Sequence, residues 1–198
     1  MEINDKSLCV FTDEIQTDGK DTYDYHRYEP TDYSVLDTLF DFFTPNPDDV
    51  LIDYGCGLGR LNFYLERRFH IHTIGIESNA HYYELAEKNR KNYRGDAKKI
   101  QFLCMKAENY TVREQDNIFY FFNPFSVTIF RLVINQILSS WQNHPRTITL
   151  LLYYPDDEVI FYLEHHTLFS LTDEIASSEK ISHDRKERFC IYSIQSFV

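Results

Sequence analysis

The sequence predicts an α/β protein whose mostly parallel, doubly wound sheet carries helices on both faces. From Val50 to Tyr154, short apolar segments of strand type alternate with stretches of helical periodicity, a pattern typical of parallel strands joined by helices. The chain then closes with two β segments and no helix between them, which predicts an antiparallel hairpin on one edge. Since no repeat or low-complexity linker divides it, residues 1–198 are predicted to form one domain. Residues 1–32 are predicted as an N-terminal arm or lid, part of which we expect to be flexible.

Local signals place each element. Apolar residues at helical spacing predict a helix over residues 35–43, which Pro45 and Pro47 end. Parallel strands are predicted at residues 50–54, 71–77, 100–105, 118–122 and 147–154. The helices between and after them are predicted from about Leu58, from the N-cap Asn79 to about Tyr93, and over residues 127–142 and 156–165. The closing hairpin is predicted near residues 168–171 and 189–197.

Composition limits the class of protein. The chain is 43% hydrophobic and 16% aromatic, which favours a folded domain with an aromatic core. It has no apolar run of the ~18 residues that a membrane helix needs, and its first ten residues lack a signal-peptide pattern. Its four cysteines are scattered, without a CxxC pair or clustered histidines. We therefore expect a cytoplasmic protein with no disulfide framework and no bound metal.

The charge bears on partners. With 20 basic and 31 acidic residues, the formal net charge is −11, and such an excess repels a phosphate backbone. A nucleic-acid partner would need a local basic patch, for which residues 88–99 are the best candidate. The same residues are also explained by a solvated helix face and loop, which we favour. We accordingly expect a protein or small-molecule partner before a nucleic acid, and no membrane partner.

A glycine-rich stretch follows the first predicted strand. Residues 50–60 read VLIDYGCGLGR, with Gly55, Gly57 and Gly59 at every second position. Glycines this dense exclude a stable helix or strand and favour a tight turn that a ligand can approach closely. A strand, a glycine turn and a helix in this order predict a nucleotide-type binding corner.

Two acidic residues and one arginine indicate which ligand this corner takes. The dinucleotide fingerprint needs a third glycine at a position that is missing here, since Arg60 follows Gly59. Asp53 lies two residues before the first glycine, where it would repel a pyrophosphate but attract a cation. S-adenosyl-L-methionine carries a sulfonium and an ammonium and no phosphate. Glu77 ends the second strand, within reach of a ribose diol. One weak alternative is that the corner binds NAD. The other is that it binds no ligand and is a plain turn beside two solvated acids.

Residues 53–59 (DYGCGLG) resemble motif I of the class I S-adenosylmethionine-dependent methyltransferases. The resemblance extends over about residues 28–154. It implies a seven-stranded sheet with strand order 3-2-1-4-5-7-6 and strand 7 antiparallel, S-adenosyl-L-methionine as cofactor, and methyl transfer as the reaction. It further implies that the methionine part of the cofactor is held by Asp53, Gly55, Cys56, Gly57 and Gly59.

The same resemblance assigns the rest of the cofactor. Glu77 would bind the ribose hydroxyls, and Ser78 would lie beside the adenine. The family often has an acid before the alanine that follows strand three, where this chain has Lys106; Ala107 would then meet the ring through its N–H and Glu108 would take the amino group. Related enzymes cover the cofactor with an N-terminal segment, which points to Tyr28 and Thr31, although a helix-entry turn explains both equally well.

The turn after strand four is the predicted catalytic corner. Asn123-Pro124-Phe125 is similar to the Asn-Pro-Pro-Tyr loop of methyltransferases that act on nitrogen, with Phe125 at the second proline and no tyrosine following. In that family the Asn side chain and the proline carbonyl accept hydrogen bonds from the target nitrogen, which aims its lone pair at the methyl group. Asn123 would also face the cofactor. Common turn chemistry is the alternative.

The leading hypothesis is therefore an S-adenosylmethionine-dependent methyltransferase acting on a nitrogen of a protein side chain or small molecule. A catalytically silent protein that binds the same cofactor, and less strongly an NAD-dependent oxidoreductase, are the alternatives.

Overall fold

A seven-stranded sheet forms the centre of the molecule. The computed structural model describes residues 2–13, 29–177 and 184–196. The strands are Val50–Tyr54 (β1), His72–Glu77 (β2), Ile100–Cys104 (β3), Asp116–Phe122 (β4), Ile148–Tyr153 (β5), Ser170–Ala176 (β6) and Arg188–Ile194 (β7). Their order is β3-β2-β1-β4-β5-β7-β6. Strands β1 to β5 pair in parallel, and β7 is antiparallel to both β5 and β6. The predicted order and the antiparallel strand are confirmed.

Helices cover both faces of the sheet, as predicted. They are Asp5–Leu8 (α1), Tyr33–Phe42 (α2), Arg60–Phe69 (α3), Ala80–Asn92 (α4), Val127–Asn143 (α5) and Asp157–His166 (α6), with short 3-10 turns at Ala97–Lys99 and Ala107–Asn109. On one face, α2 and α3 bury their apolar stripes against β1, β4, β5 and β7. On the other face, α5 and α6 pack against the same strands. Because α3, α4, α5 and α6 each follow a parallel strand directly, their N-termini lie at the edge where those strands end.

Helix α3 and strand β6 each begin two residues later than predicted, for a physical reason. Helix α3 begins at Arg60 and not near Leu58, because Gly59 has the left-handed φ of 87° and cannot be a helical residue. The sixth strand covers Ser170–Ala176, whereas the prediction placed it near residues 168–171. It lies at the edge of the sheet and pairs only with β7, so backbone hydrogen bonds and not a buried apolar pattern define it.

The described part of the predicted arm is held to the rest of the fold. Of residues 1–32, the structure describes 2–13 and 29–32. Asn4 and Ser7 cap helix α1 reciprocally, and Leu8 is fully buried. The Arg94 N–H donates a 3.0 Å hydrogen bond to the Leu8 carbonyl, which ties this segment to the end of α4. None of the helices that the structure describes is long and apolar enough to cross a membrane.

Candidate active site

The glycine turn and the predicted catalytic corner are in contact. Gly55, Gly57 and Gly59 have φ values of 79°, 51° and 87°, the left-handed region that glycine adopts without strain. A Cβ atom on Gly55 would lie 2.7 Å from Cβ of Pro124, and one on Gly59 would lie 2.4 Å from the Phe102 ring. The turn thus needs glycine both for its backbone and for its neighbours. The contact with Pro124 brings the ends of β1 and β4 together.

Asp53 lies next to this turn, buried and without a partner. It pairs with Gly75 on β2 and Tyr120 on β4, and only 4% of its surface is exposed. No hydrogen bond or ion pair reaches its carboxyl group from any residue that the structure describes. Burial raises the pKa of Asp53 to about 8, and the charge of Glu77 adds to the rise. A buried carboxyl group without a partner is costly to ionise, so this position favours a cationic ligand.

Glu77 stabilises the turn from the neighbouring strand. Its Oε2 accepts a 3.0 Å hydrogen bond from the Gly57 N–H, and its Oε1 accepts a 2.7 Å bond from the Asn79 N–H. Burial raises the pKa of Glu77, and these backbone bonds oppose the rise. Two carboxylate oxygens offer about four lone-pair positions, so two bonds leave room for a diol. The bond to Gly57 was not predictable from the sequence.

Cys56 lies between the two acids. Its side chain is 6% exposed, and its sulfur would be 2.6 Å from a Cβ atom on Gly75, so the thiol packs onto β2. Burial raises the pKa of the thiol, and the charges of Asp53 and Glu77 add to the rise. Because the thiol packs onto Gly75, the cofactor contact predicted for Cys56 would involve its backbone.

The residues predicted to surround the adenine lie at the ends of β2 and β3. The Met105 N–H donates a 3.0 Å bond to the Glu77 carbonyl, which joins the two strand ends. Ser78 is exposed, whereas Ala107 is 3% exposed in the 3-10 turn that also contains Glu108. Lys106 lies 4.0 Å from the Glu108 carboxylate. The structure therefore brings these residues to the Glu77 side of the site.

Of the two predicted residues before α2, the structure describes one. Tyr28 lies outside the described residues. Thr31 is 7% exposed, and its hydroxyl shares a 2.8 Å hydrogen bond with the hydroxyl of Tyr120, the β4 neighbour of Asp53. Thr31 thus contacts the side chain of the residue that pairs with Asp53 in the sheet, and its cofactor contact stays a prediction. Tyr120 itself was missed, because its aromatic run indicated only a core strand.

The predicted catalytic corner has an unusual backbone. Asn123 is half-buried and has a positive φ of 36°, which is uncommon for a residue other than glycine. Strained conformations of this kind are found preferentially at functional sites. The Phe125 ring is 2% exposed and packs edge-on against Tyr54 and Phe121. It therefore lies in the core beneath the corner and holds Asn123 and Pro124 in place from below.

Acidic and aromatic side chains follow at the end of β5. Tyr153 packs against Phe122 and Phe189, with ring centres 4.5 and 4.6 Å apart, and lines one small cavity with Asn123. Its hydroxyl donates a 3.1 Å hydrogen bond to the Glu187 carboxylate. Burial raises the pKa of Tyr153, and the charges of Glu187 and Asp32 add to the rise. The edge next to Asn123 is therefore aromatic and acidic.

Within the described ranges, no group of three or more His, Cys, Asp or Glu side chains is arranged to hold an ion.

Comparison with known proteins identifies the fold. No protein-family model and no curated protein sequence matches the chain. Among solved structures, an RNA methyltransferase from Salinibacter ruber in complex with S-adenosyl-L-homocysteine is 17% identical, with 86% of this chain and 96% of that chain covered and a TM-score of 0.58. An S-adenosylmethionine-dependent methyltransferase from Thiobacillus denitrificans, in complex with the same ligand, is 13% identical, with 84% and 92% covered and a TM-score of 0.56. The cyclase SpnF is 12% identical, with 88% and 87% covered and a TM-score of 0.64.

These similarities concern architecture, since a shared fold does not fix a reaction. The strand order, the antiparallel seventh strand and the flanking helices agree with the solved methyltransferases. The chain has the seven-stranded, Rossmann-like fold of the class I S-adenosylmethionine-dependent methyltransferases.

Proposed function

We propose that this protein is an S-adenosylmethionine-dependent methyltransferase. The observation that carries the proposal is the Asp53 carboxyl group, buried beside the glycine turn without a hydrogen bond or ion pair from the described residues. A cofactor that brings a sulfonium and an ammonium supplies the missing positive charge. Glu77, with lone pairs to spare, suits the ribose diol of the same molecule.

The same geometry counts against NAD. A pyrophosphate would bring negative charge to a corner that already contains Asp53 and Glu77. The nearest arginine along the chain, Arg60, directs its guanidinium to Thr12, Asp13 and Thr31. In dinucleotide-binding corners the third glycine allows close packing of helix on strand, and Arg60 stands at this point of the sequence. NAD therefore remains the weaker candidate.

The proposed cofactor contacts combine the sequence prediction with the observed geometry. The methionine part is assigned to Asp53 and the glycine turn, the ribose to Glu77, and the adenine to the ends of β2 and β3. The full set is Tyr28, Thr31, Asp53, Gly55, Cys56, Gly57, Gly59, Glu77, Ser78, Ala107, Glu108 and Asn123. When bound, the cofactor supplies an electrophilic methyl group.

The acceptor is proposed to be a nitrogen. Pro124 lies against Gly55, next to the corner assigned to the cofactor, and Asn123 precedes it in the chain. The Asn123 side chain and the Pro124 carbonyl would accept hydrogen bonds from an N–H group there. Two such bonds orient the nitrogen lone pair, and orientation alone accelerates a transfer of this kind considerably. Phe125 contributes by supporting both residues from the core.

A protein side chain or a small amine is the favoured acceptor. The net charge of −11 and the carboxylates of Asp32 and Glu187 beside Tyr153 disfavour a phosphate backbone at this edge. Within the basic stretch, Arg90 pairs with Glu87 and Lys99 binds the His70 carbonyl, which fits a helix face. Because the Salinibacter ruber structure is an RNA methyltransferase, RNA is the alternative acceptor to test. A cytoplasmic setting is also proposed, because the four cysteines are scattered and include no CxxC pair.

Calorimetric titration tests the cofactor assignment. Wild-type protein should bind S-adenosylmethionine and not NADH, and Asp53→Asn should weaken binding by roughly tenfold or more, the loss of a buried charge contact. Asp48→Asn is the matched control, since Asp48 is an exposed loop residue. Binding of NADH alone would overturn the proposal.

The second candidate, a protein that binds the cofactor without transferring its methyl group, needs a separate test. SpnF, which shares this fold, is a cyclase, so the fold alone does not establish transfer. Incubation with methyl-labelled cofactor and fractionated lysate, with and without nuclease or protease, should label a protein or small molecule. Label confined to nuclease-sensitive material would identify RNA as acceptor, and no label despite tight binding would favour the silent protein.

A further inference from the structure

Arg60 is almost completely buried. It occupies the position at which a dinucleotide-binding site would have its third glycine. It is 5% exposed at the first position of α3. Its Nε donates a 2.7 Å hydrogen bond to the Thr12 hydroxyl, its Nη1 donates a 3.3 Å bond to the Thr31 carbonyl, and its Nη2 forms an ion pair with Asp13. Its guanidinium also lies 4.8 Å from the centre of the Tyr33 ring.

These partners come from two separate parts of the chain. Thr12 and Asp13 follow α1, whereas Thr31 and Tyr33 lie at the start of α2. Asp5 joins the two parts a second time, because it accepts hydrogen bonds from the Thr12 hydroxyl (2.7 Å) and the Tyr33 hydroxyl (2.5 Å). A buried arginine with every arm engaged is an expensive feature, since each partner must compensate for lost water. Its location next to the glycine turn calls for a reason.

A second side chain repeats the connection. Asn89 on α4 is 6% exposed. It accepts a 2.9 Å hydrogen bond from the Phe11 N–H and donates to the Phe11 carbonyl (2.8 Å) and to the Leu58 carbonyl (3.1 Å). Residues 11–13 are therefore connected through Asn89 to Leu58 in the glycine turn, and directly to Arg60 at the start of α3.

The connection continues to Asp53. Arg60 donates a hydrogen bond to the backbone carbonyl of Thr31. The hydroxyl of Thr31 in turn shares a hydrogen bond with the hydroxyl of Tyr120. Tyr120 is the direct neighbour of Asp53 in the sheet. We propose that Arg60 is a positioning residue that holds the segments at residues 12–13 and 31–33 against the glycine corner and thereby excludes water from Asp53. The proposal deepens the proposed function, because a dry carboxylate attracts a cationic cofactor more strongly than a hydrated one.

The sign of one measurable effect separates this role from a direct charge effect. Among the described residues, the groups with a resolved electrostatic interaction with Asp53 are Glu77, Cys56 and Tyr120, and Arg60 is not one of these. If Arg60 acts by excluding water, its removal hydrates Asp53 and lowers the pKa of that carboxyl group. If Arg60 acted as a nearby cation, its removal would raise the same pKa. A role limited to folding would leave the pKa unchanged.

The test is a titration of Asp53 in the protein without cofactor. The carboxyl carbon is followed by NMR with labelled aspartate and assigned with Asp53→Asn. Arg60→Met should lower the midpoint by about one pH unit or more relative to wild type. Arg68→Met is the matched control, because Arg68 lies on the same helix and pairs with Asp37 and Asp41 of α2, away from the strand ends. An equal or higher midpoint in Arg60→Met than in Arg68→Met overturns the proposal.

Affinity gives a second readout. At about pH 9.5, where Asp53 is ionised in both proteins, S-adenosylmethionine should bind roughly tenfold more weakly to Arg60→Met, with the control close to wild type. If wild type does not bind the cofactor, the proposed function fails while the titration of Asp53 still decides the role of Arg60. If Arg60→Met does not fold, Thr31→Val replaces it, since valine keeps the shape and removes only the hydroxyl that holds Tyr120. The Asp53 midpoint should again fall, and an unchanged midpoint contradicts the proposal.

Discussion

Asp53→Asn should make the cofactor-free protein more stable than wild type at alkaline pH. The substitution keeps the size of the side chain and removes its ability to ionise. The ordinary pKa of this carboxyl group is 3.8, and burial followed by repulsion from Glu77 raises it to about 8 in the folded protein. Between these values the folded chain retains a proton that the unfolded chain has lost. Wild-type stability therefore falls as the pH rises through this window, and the asparagine variant is spared the loss.

The size of the effect follows from the same two values. The difference between 3.8 and about 8 is roughly 4 pKa units, and at about 1.4 kcal/mol per unit the ceiling is near 6 kcal/mol. Relaxation and water penetration reduce the penalty of a buried ion, so we expect about 2–3 kcal/mol at about pH 9. For a domain of this size, that corresponds to a difference in Tm of roughly 4–12 °C.

The difference in unfolding free energy between wild type and Asp53→Asn is measured by urea or thermal unfolding at about pH 5, 7 and 9. Asp48→Asn is the exposed control. The free-energy advantage of Asp53→Asn should grow steadily with pH, while Asp48→Asn should show no such trend. An advantage that is the same at every pH would refute the reasoning, because it would mean that Asp53 titrates alike in the folded and unfolded chains. A loss of stability at alkaline pH would show that the carboxylate has a cationic partner in the protein.

Two further predictions concern the ligand and the reaction. Binding of S-adenosylmethionine should strengthen as the pH rises from about 6.5 to 9 and should release protons, because Asp53 must ionise to meet the cation; calorimetry in buffers of different ionisation enthalpy measures the released protons, and pH-independent binding without release would contradict the prediction. If the Asn123 amide orients the acceptor nitrogen as proposed, Asn123→Ala should lower kcat by about 100-fold and leave cofactor affinity within about threefold. Steady-state kinetics and titration measure both, and an unchanged kcat would assign Asn123 to the turn alone.

The sequence predicted most of the fold because each buried strand is an apolar run bounded by nearby turn residues. The first strand, Val50–Tyr54, was placed with its observed bounds, since an apolar run ended by a dense glycine turn permits little else. Asn79 was identified as a helix cap and does accept a hydrogen bond from the His81 N–H. Strand β6 was poorly placed because edge strands are half-exposed, and its exposed leucine Leu171 gave a misleading signal.

The parts of the site that could not be predicted depend on contacts between distant residues. Arg60 lies 48 positions from Thr12 and 29 from Thr31, and no spacing rule connects such residues. The sequence showed only that an arginine replaces an expected glycine. The bond between Glu77 and the Gly57 N–H is equally non-local, since it depends on the register of two parallel strands. Local patterns therefore indicate candidate ligand-binding residues but not the distant residues that contact them.

The two acids of the site are chemically alike and have different surroundings, and this difference supports the proposed ligand. Glu77 accepts hydrogen bonds from two backbone N–H groups, which stabilise its negative charge. Asp53 receives none from the described residues and repels Glu77. Burial raises the pKa of both groups, but backbone hydrogen bonds oppose the rise only at Glu77, so Asp53 ionises at the greater expense. A ligand that is only a diol would satisfy Glu77 and leave Asp53 neutral, whereas one that is only a cation would leave lone pairs of Glu77 unused. A ligand that brings both groups in one molecule uses both acids, and S-adenosylmethionine is such a ligand.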